Sequence, residues 1–229
     1  MNKINSVTRE EWLKARKDFL IKEKEFTYAR EKLSEERRNL PMVKIEKDYQ
    51  FNAESGRQTL SELFGDHQQL IIYHFMYGTD WEQGCPSCSF WADNFDGIDT
   101  HLAARNTSFA VTSNAPLDAL LKYKKRLGWN FNWVSSTDLE FGTDFGVSFY
   151  DPENDGAYNY SDWTPEGEMP GISVFIKDDD EIYHSYSTYG RGLDMLNSAY
   201  HYLDLTPQGR DEKDLEFAQA WVKRHDEYK

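Results

Sequence analysis

Six residues, Leu70-Ile71-Ile72-Tyr73-His74-Phe75, form an apolar, β-branched run bounded by polar segments. The run is short for a helix and shows no polar–apolar alternation, so both of its faces must be covered. A strand of that kind belongs at the centre of a sheet with helices on its flanks. With 229 residues, 39% of them hydrophobic, the chain is long enough to bury such a sheet.

Segments on either side of the run fit the same scheme. Met42–Ile45 and Tyr49–Phe51 read as short strands, Ser55-Gly56-Arg57 as a turn, and Thr59–Phe64 as a short helix closed by Gly65. Residues 86–104 carry one helical pattern. Ser108–Thr112 follows as a strand, Pro116–Leu127 as a helix with proline in its first turn, and Phe131–Val134 as a third strand. Ile172–Lys177 and Ile182–Tyr186 form a hairpin around Asp178-Asp179-Asp180, and Gly192–Leu203 reads as a single helix. The fold class is therefore α/β, a central mixed β-sheet flanked by helices, with no internal repeat.

The only two cysteines stand together in Gly84-Cys85-Pro86-Ser87-Cys88, after the buried strand and at the opening of a helix. Two cysteines cannot build a disulfide scaffold, but they can build a site. A thiol at a helix start faces unpaired backbone N–H groups and the positive end of the helix dipole. Both favour thiolate over thiol, so Cys85 is the candidate nucleophile. Cys88, one helical turn on, is placed to attack a mixed disulfide formed there, and Pro86 suits the first helical position. A zinc site would need two further ligands, and neither His74 nor His101 stands at a clean ligand spacing. No metal or cofactor is implied.

Charge divides the chain unevenly. The formal net charge is −14, yet residues 1–40 sum to +3, leaving −17 for residues 41–229. So acidic a body excludes nucleic acid and anionic membrane surfaces as partners. Trp12, Phe19, Phe26, Leu33 and Leu40 recur every seven residues, predicting one amphipathic helix over about residues 8–38 that ends before Pro41. Its stripe is expected to cover an apolar face of its own domain; the other use is a seam between two protomers, a homodimer, which Lys22 on the stripe weakens. The organisation expected is an N-terminal helix over 1–41 and a single domain over 42–229. No stretch approaches the roughly 18 apolar residues of a membrane helix, and the charged N-terminus lacks a signal peptide's apolar run, so a cytoplasmic protein is expected.

Residues 127–176 contain no lysine or arginine, nine acids and eleven aromatic side chains. This aromatic-rich insertion is expected to pack its rings on the sheet; the functional alternative is an aromatic, acidic wall beside the cysteines. Asp151-Pro152-Glu153-Asn154-Asp155-Gly156 with Asp162 follows a calcium-loop template only loosely, and acidic turn chemistry explains it better. Trp81 before the motif and Trp91 after it are candidates to line a substrate entrance.

Residues 49–90, with TLSELFG, LIIYHFMYG and GCPSC, resemble the opening of peroxiredoxin and alkyl-hydroperoxide-reductase-type thioredoxin folds. More closely, WEQGCPSCSFWADNFDG, TDFGVSFYDPE and GISVFIKDDDEIYHSYSTYGRGLDMLNSAYHYLDLTPQGR resemble a bacterial family of thioredoxin-like proteins labelled only as a domain of unknown function. The resemblance implies a thioredoxin-like fold and thiol–disulfide or peroxide-linked chemistry on a protein or small-molecule thiol or disulfide. It also gives Pro170 the chain position of the substrate-guiding cis-proline of thioredoxins, beside a site formed with Pro86 and Ser87. Peroxiredoxins flank their cysteine with Thr and Arg. Here Thr79 lies six residues before Cys85 and no arginine occurs between residues 58 and 104, which argues against an efficient peroxidase. The leading expectation is a thiol–disulfide oxidoreductase. The alternatives are a non-catalytic binding or scaffold protein on the same fold and a weak peroxidase.

Overall fold

A computed structural model describes residues 4–151 and 155–229, which divide into two compact units, Met1–Pro41 and Met42–Lys229. The first unit holds α1 (Arg9–Arg38). Its start is capped reciprocally: Thr8 Oγ1 accepts from the Glu11 N–H, and the Glu11 carboxylate accepts from the Thr8 N–H at 2.9 Å. Glu10 and Glu11 in the first turn and Arg37 and Arg38 in the last suit the helix dipole. No residue of α1 is buried, and Trp12, Phe19, Phe26 and Leu33 are exposed. Within the first unit these apolar positions are uncovered.

The second unit carries the sheet. In chain order its elements are β1 (Val43–Lys44), β2 (Gln50–Ala53), β3 (Gly56–Thr59), β4 (Gln69–His74), α2 (Pro86–Ala92), α3 (Ile98–Ala103), β5 (Thr107–Ser113), α4 (Leu117–Leu127), β6 (Asn132–Ser135), α5 (Phe141–Asp144), β7 (Ser148–Phe149), β8 (Gly167–Glu168), β9 (Gly171–Asp178), β10 (Glu181–Tyr189) and α6 (Ser198–Asp204). Eight strands form one sheet in the order β1-β10-β9-β4-β5-β6-β2-β3, and β7 pairs with β8 separately. Strand β4 is central, parallel to β5 and antiparallel to β9, and β6 continues the parallel side. The sheet is thus mixed, with the apolar run at its middle, as its lack of alternation requires.

Pleating sends alternate residues of β4 to opposite layers. Tyr73, followed by Phe75, faces a core shared with α2 and α4 that includes Cys88, Trp91, Phe95, Leu120 and Trp133. Leu70 and Ile72 face the other core, with Phe51, Phe64, Phe141 and Phe175. His74 sits on that second side, 3% exposed, with its ring 5.6 Å from Phe141. It opens a buried polar chain across three strands: His74 Nε2 to Ser173 Oγ at 2.8 Å, Ser173 to Ser187 at 2.8 Å, and Ser187 to His184 Nε2 at 2.7 Å. Burial pushes His74 down to about 3, so it is a neutral core histidine.

Two expected helices are each divided. The 86–104 pattern is α2 and α3, because the Asn94 side chain captures the Phe90 and Trp91 carbonyls and Gly97 adopts φ 85°, which restarts the chain. The 192–203 pattern is a tight turn of helix over Gly190–Leu196 followed by α6, because Asn197 caps a new start by accepting from the Tyr200 N–H. The Thr59–Phe64 segment is a strand end and a single tight turn, Glu62–Phe64.

The aromatic insertion is largely interior. Trp129, Phe131 and Trp133 join the core beside α2, while Phe141 and Phe145 fill the opposite one. Tyr150, Tyr160 and Trp163 are exposed. Pro152, Glu153 and Asn154 of the calcium-like loop lie outside the described residues. Among the described residues, no group of three or more His, Cys, Asp or Glu side chains is placed to hold a metal ion. No described helix is long and apolar enough to cross a membrane.

Candidate functional site

After β4 the chain runs through a loop and turns into α2 with Cys85 as the residue before its first turn and Pro86 at the start of it. The loop is drawn tight against the core. The Cys85 N–H donates to the Met76 carbonyl at 3.0 Å, and a Cβ at Gly84 would lie 2.6 Å from the Phe75 ring. Glycine is therefore required there for the backbone to come this close. The Cys85 carbonyl accepts from the Ser89 N–H at 3.0 Å and from Ser89 Oγ at 2.9 Å.

Both cysteines are free thiols, and their settings differ. Cys85 is partly exposed and Cys88 only 2% exposed. The Cys88 thiol and the N–H groups of Cys88 and Ser87 are directed at the Cys85 sulfur, and they outweigh its burial and draw its pKa down to about 7. Cys88 moves the opposite way. Burial, then the neighbouring Cys85, pushes its thiol well above the ordinary cysteine range, even though the Met76 N–H reaches its sulfur at 3.4 Å. One sulfur is thus poised to ionise and the other is held protonated. Alkylation of Cys85 by iodoacetamide is expected to rise with pH to a half-maximum at about 7, since the thiolate is present above that value and lost below it. Peptide mapping should find Cys88 unlabelled in the folded protein. A midpoint at about 8.5, the value of an ordinary thiol, would mean that these donors do not act on the sulfur.

A cavity of about 200 Å³ opens beside Cys88, with Ser87, Trp91 and Pro170 in its wall together with Tyr73 and Leu193. Four of the residues singled out in the sequence, Ser87, Cys88, Trp91 and Pro170, are thereby brought together. Trp91 is buried and donates from Nε1 to the Leu193 carbonyl at 2.8 Å, so its ring is fixed as wall rather than gate. Trp81 is not among the lining residues; its indole packs over Gly78, where an added Cβ would meet Nε1 at 2.9 Å. Every described peptide bond is trans, Met169–Pro170 included, so the cis assignment for Pro170 is corrected; the residue lines the cavity beside Cys88.

Three contributors were not visible in the sequence. Tyr73 looked like core in an apolar run, yet it lines the same cavity as Cys88. Tyr158, from the aromatic insertion, donates to the Pro170 carbonyl at 2.7 Å and accepts from the Gly190 N–H at 2.8 Å, fastening two walls of the cavity together. Arg224 arrives from 140 residues downstream to donate to the Gly84 carbonyl at 2.7 Å, with Tyr123 reaching the same oxygen at 3.3 Å. The absence of a nearby arginine in the sequence is thus made up in space. This guanidinium, however, is engaged with Gly84, Tyr123 and Glu227 rather than with the sulfur.

A central β4 followed by a cysteine pair at the head of α2, a parallel β5, then the antiparallel β9–β10 hairpin and a last helix, has the element order of a thioredoxin-like fold. Residues 1–228 match the model described as "Bacterial protein of unknown function (DUF899)", and the chain belongs to that family. No curated protein matches it. Among solved structures it is similar to a cysteine-to-serine mutant of peroxiredoxin Q from Xanthomonas campestris, at 13% identity over 72% of this chain and 98% of that one with a TM-score of 0.48. A mutant of Xylella fastidiosa PrxQ gives 14% identity, coverage of 72% and 96%, and a TM-score of 0.46. A putative thiol:disulfide interchange protein DsbE from Chlorobium tepidum gives 11% identity, coverage of 70% and 98%, and a TM-score of 0.44.

Proposed function

We propose that the protein is a thiol–disulfide oxidoreductase in which Cys85 is the nucleophile and Cys88 the resolving thiol. The observation that carries this reading is the placement of two free thiols at the head of α2, Cys85 partly exposed before its first turn and Cys88 buried one turn on. Two cysteines kept only for packing have no reason to differ in this way.

In the forward direction the Cys85 thiolate attacks one sulfur of a disulfide RS–SR. The S–S bond breaks, one RS⁻ leaves, and a Cys85–SR mixed disulfide remains. Cys88 then loses its proton to solvent and attacks the Cys85 sulfur, releasing the second RS⁻ and closing the Cys85–Cys88 bond. The protein gives up two electrons and RSSR becomes two thiols once the leaving thiolates take up protons. The cavity is below the roughly 300 Å³ at which ordinary small-molecule sites begin. Cys85 is not among its lining residues, so its volume sets no limit on the group carried by the Cys85 mixed disulfide.

The test is equilibration of the protein in thiol–disulfide buffers of graded potential, followed by mass spectrometry. The expected result is a reversible loss of two hydrogens with no added mass, giving one midpoint potential. Midpoints of about −270 mV mark a reductant and about −120 mV an oxidant. A protein that stays a dithiol at every potential, or accumulates only a mixed disulfide at Cys85, would rule the reading out.

A further inference from the structure

The backbone of Cys85 is held from several sides. Its N–H is taken by the Met76 carbonyl, and its own carbonyl by Ser89, which donates from both N–H and Oγ. Ser89 Oγ also stands 2.9 Å from the Tyr123 hydroxyl. Arg224 donates from Nε to that hydroxyl and from Nη2 to the Gly84 carbonyl at 2.7 Å. Ser89 and Tyr123 are buried, and the Arg224 side chain is 13% exposed. The protons of this chain can run one way only. A guanidinium donates and never accepts, a carbonyl accepts and never donates, and each hydroxyl between them has one proton. Ser89 therefore gives its proton to the Cys85 carbonyl, and Tyr123 gives its own to Ser89 rather than to the Gly84 oxygen at 3.3 Å. Any other assignment leaves two lone pairs facing each other at 2.9 Å.

We propose that Arg224 is a positioning residue of the exchange: one arm of its fork holds the Gly84 carbonyl and the other, through Tyr123 and Ser89, holds the Cys85 carbonyl. Both peptide units that meet at Cys85 are thus fixed from a single cation. This deepens the oxidoreductase reading and rests on it. The two units aim the Cβ of Cys85 and with it the sulfur. Donors that draw this sulfur toward thiolate, the Cys88 thiol first among them, act at hydrogen-bond range and only while the sulfur is held toward them. A chain of hydrogen bonds headed by a charge polarises along its length, so a guanidinium anchors it more firmly than a neutral donor would. Charges around Arg224 are paired. Glu227 accepts from Arg224 at 3.1 Å and from Arg126 at 3.0 Å, and Asp226 accepts from Arg126 at 2.7 Å. The adjacent His225 pairs with Asp93 at 2.7 Å, and Tyr77, its ring 5.6 Å from Tyr123, is a phenol that burial holds above its ordinary range.

The experiment uses the full chain, reduced and freed of reductant, mixed with excess 5,5′-dithiobis(2-nitrobenzoate) over a range of pH. The Cys85 thiolate attacks the reagent's disulfide, forming a mixed disulfide and releasing the first thionitrobenzoate; closure by Cys88 releases the second. In wild type the first phase should follow a thiolate half-formed at about 7. In Arg224→Gln that midpoint should move up toward about 8.5, the value of an ordinary thiol, and the rate at neutral pH should fall about 10-fold with the thiolate fraction. Arg224→Lys keeps the charge but cannot reach both acceptors at once, and should shift as far. Tyr123→Phe keeps the ring and breaks one arm, so its smaller shift should add nothing to that of Arg224→Gln when the two are combined. Phe141→Ala loosens the opposite core without touching either arm, and should keep the wild-type midpoint. A wild-type midpoint in Arg224→Gln would overturn the proposal. So would full rescue by Arg224→Lys, additive shifts in the double variant, or an equal shift in Phe141→Ala. If wild type itself releases no second thionitrobenzoate, the oxidoreductase reading fails instead, so the two failures are told apart.

Discussion

Cys85→Ser is expected to abolish disulfide reduction, by at least about 10³-fold in turnover, because the one other thiol, Cys88, is buried. Serine is close in size but does not ionise in this range, so the donors gathered by the head of α2 have no thiolate to stabilise. Cys88→Ser should behave differently. The first attack survives, a mixed disulfide builds up at Cys85, and a single equivalent of thiol is released per chain. Reduction of a small disulfide coupled to a dithiol reductant, with mass spectrometry of the trapped species, separates the two variants. A Cys85→Ser protein that still turns over, or a Cys88→Ser protein that turns over like wild type, contradicts the assignment of roles. The assay also discriminates against a scaffold protein, in which neither substitution would change any rate.

Phe141→Ala is the substitution expected to cost the fold most without touching the cysteines. Phe141 is fully buried at the start of α5, with ring centroids of Phe145, Phe51 and Tyr49 at 4.6, 4.8 and 4.9 Å. Removing it leaves a cavity that these rings cannot fill by small shifts, so unfolding free energy should fall by about 3–5 kcal/mol. For a chain of this size the melting temperature should drop by roughly 6–20 °C. The first phase of Cys85 attack should be retained below that transition, because Phe141 lies in the core across the sheet from α2. Exposed Trp163, replaced by alanine, serves as the comparison, with a change within about 0.5 kcal/mol. A Phe141→Ala loss no larger than that of Trp163→Ala would show that the insertion is not part of the core.

The elements legible in the sequence were those decided by local pattern. The β4 run had nowhere to go but the middle of a sheet, the aspartate turn at 178–180 closes the β9–β10 hairpin, and the cysteine pair marks its own helix start. Helix breaks at Asn94 and Asn197 were hidden, because a periodicity of apolar residues says nothing about one side-chain amide capturing a carbonyl or an N–H. Tyr73 was concealed by its surroundings, since a tyrosine in an apolar strand reads as packing until the pleat is known to place it in the wall of a cavity. Arg224 and Tyr158 could not be placed at all, as their roles depend on contacts 140 and 12 residues away that only the assembled sheet creates. The stripe of α1 was visible as a pattern.

The bond from Arg224 to the Gly84 carbonyl has a consequence for how the protein comes into being. A contact spanning 140 residues closes a large loop and cannot form until almost everything between its ends is synthesised and ordered. The two thiols leave the ribosome long before their latch does, and through that interval the turn ahead of Cys85 lacks its strongest anchor. Maturation of the site is therefore coupled to docking of the C-terminal segment. Proteolytic trimming just upstream of residue 224 would leave the sheet and both sulfurs in place while freeing the backbone that aims the first of them.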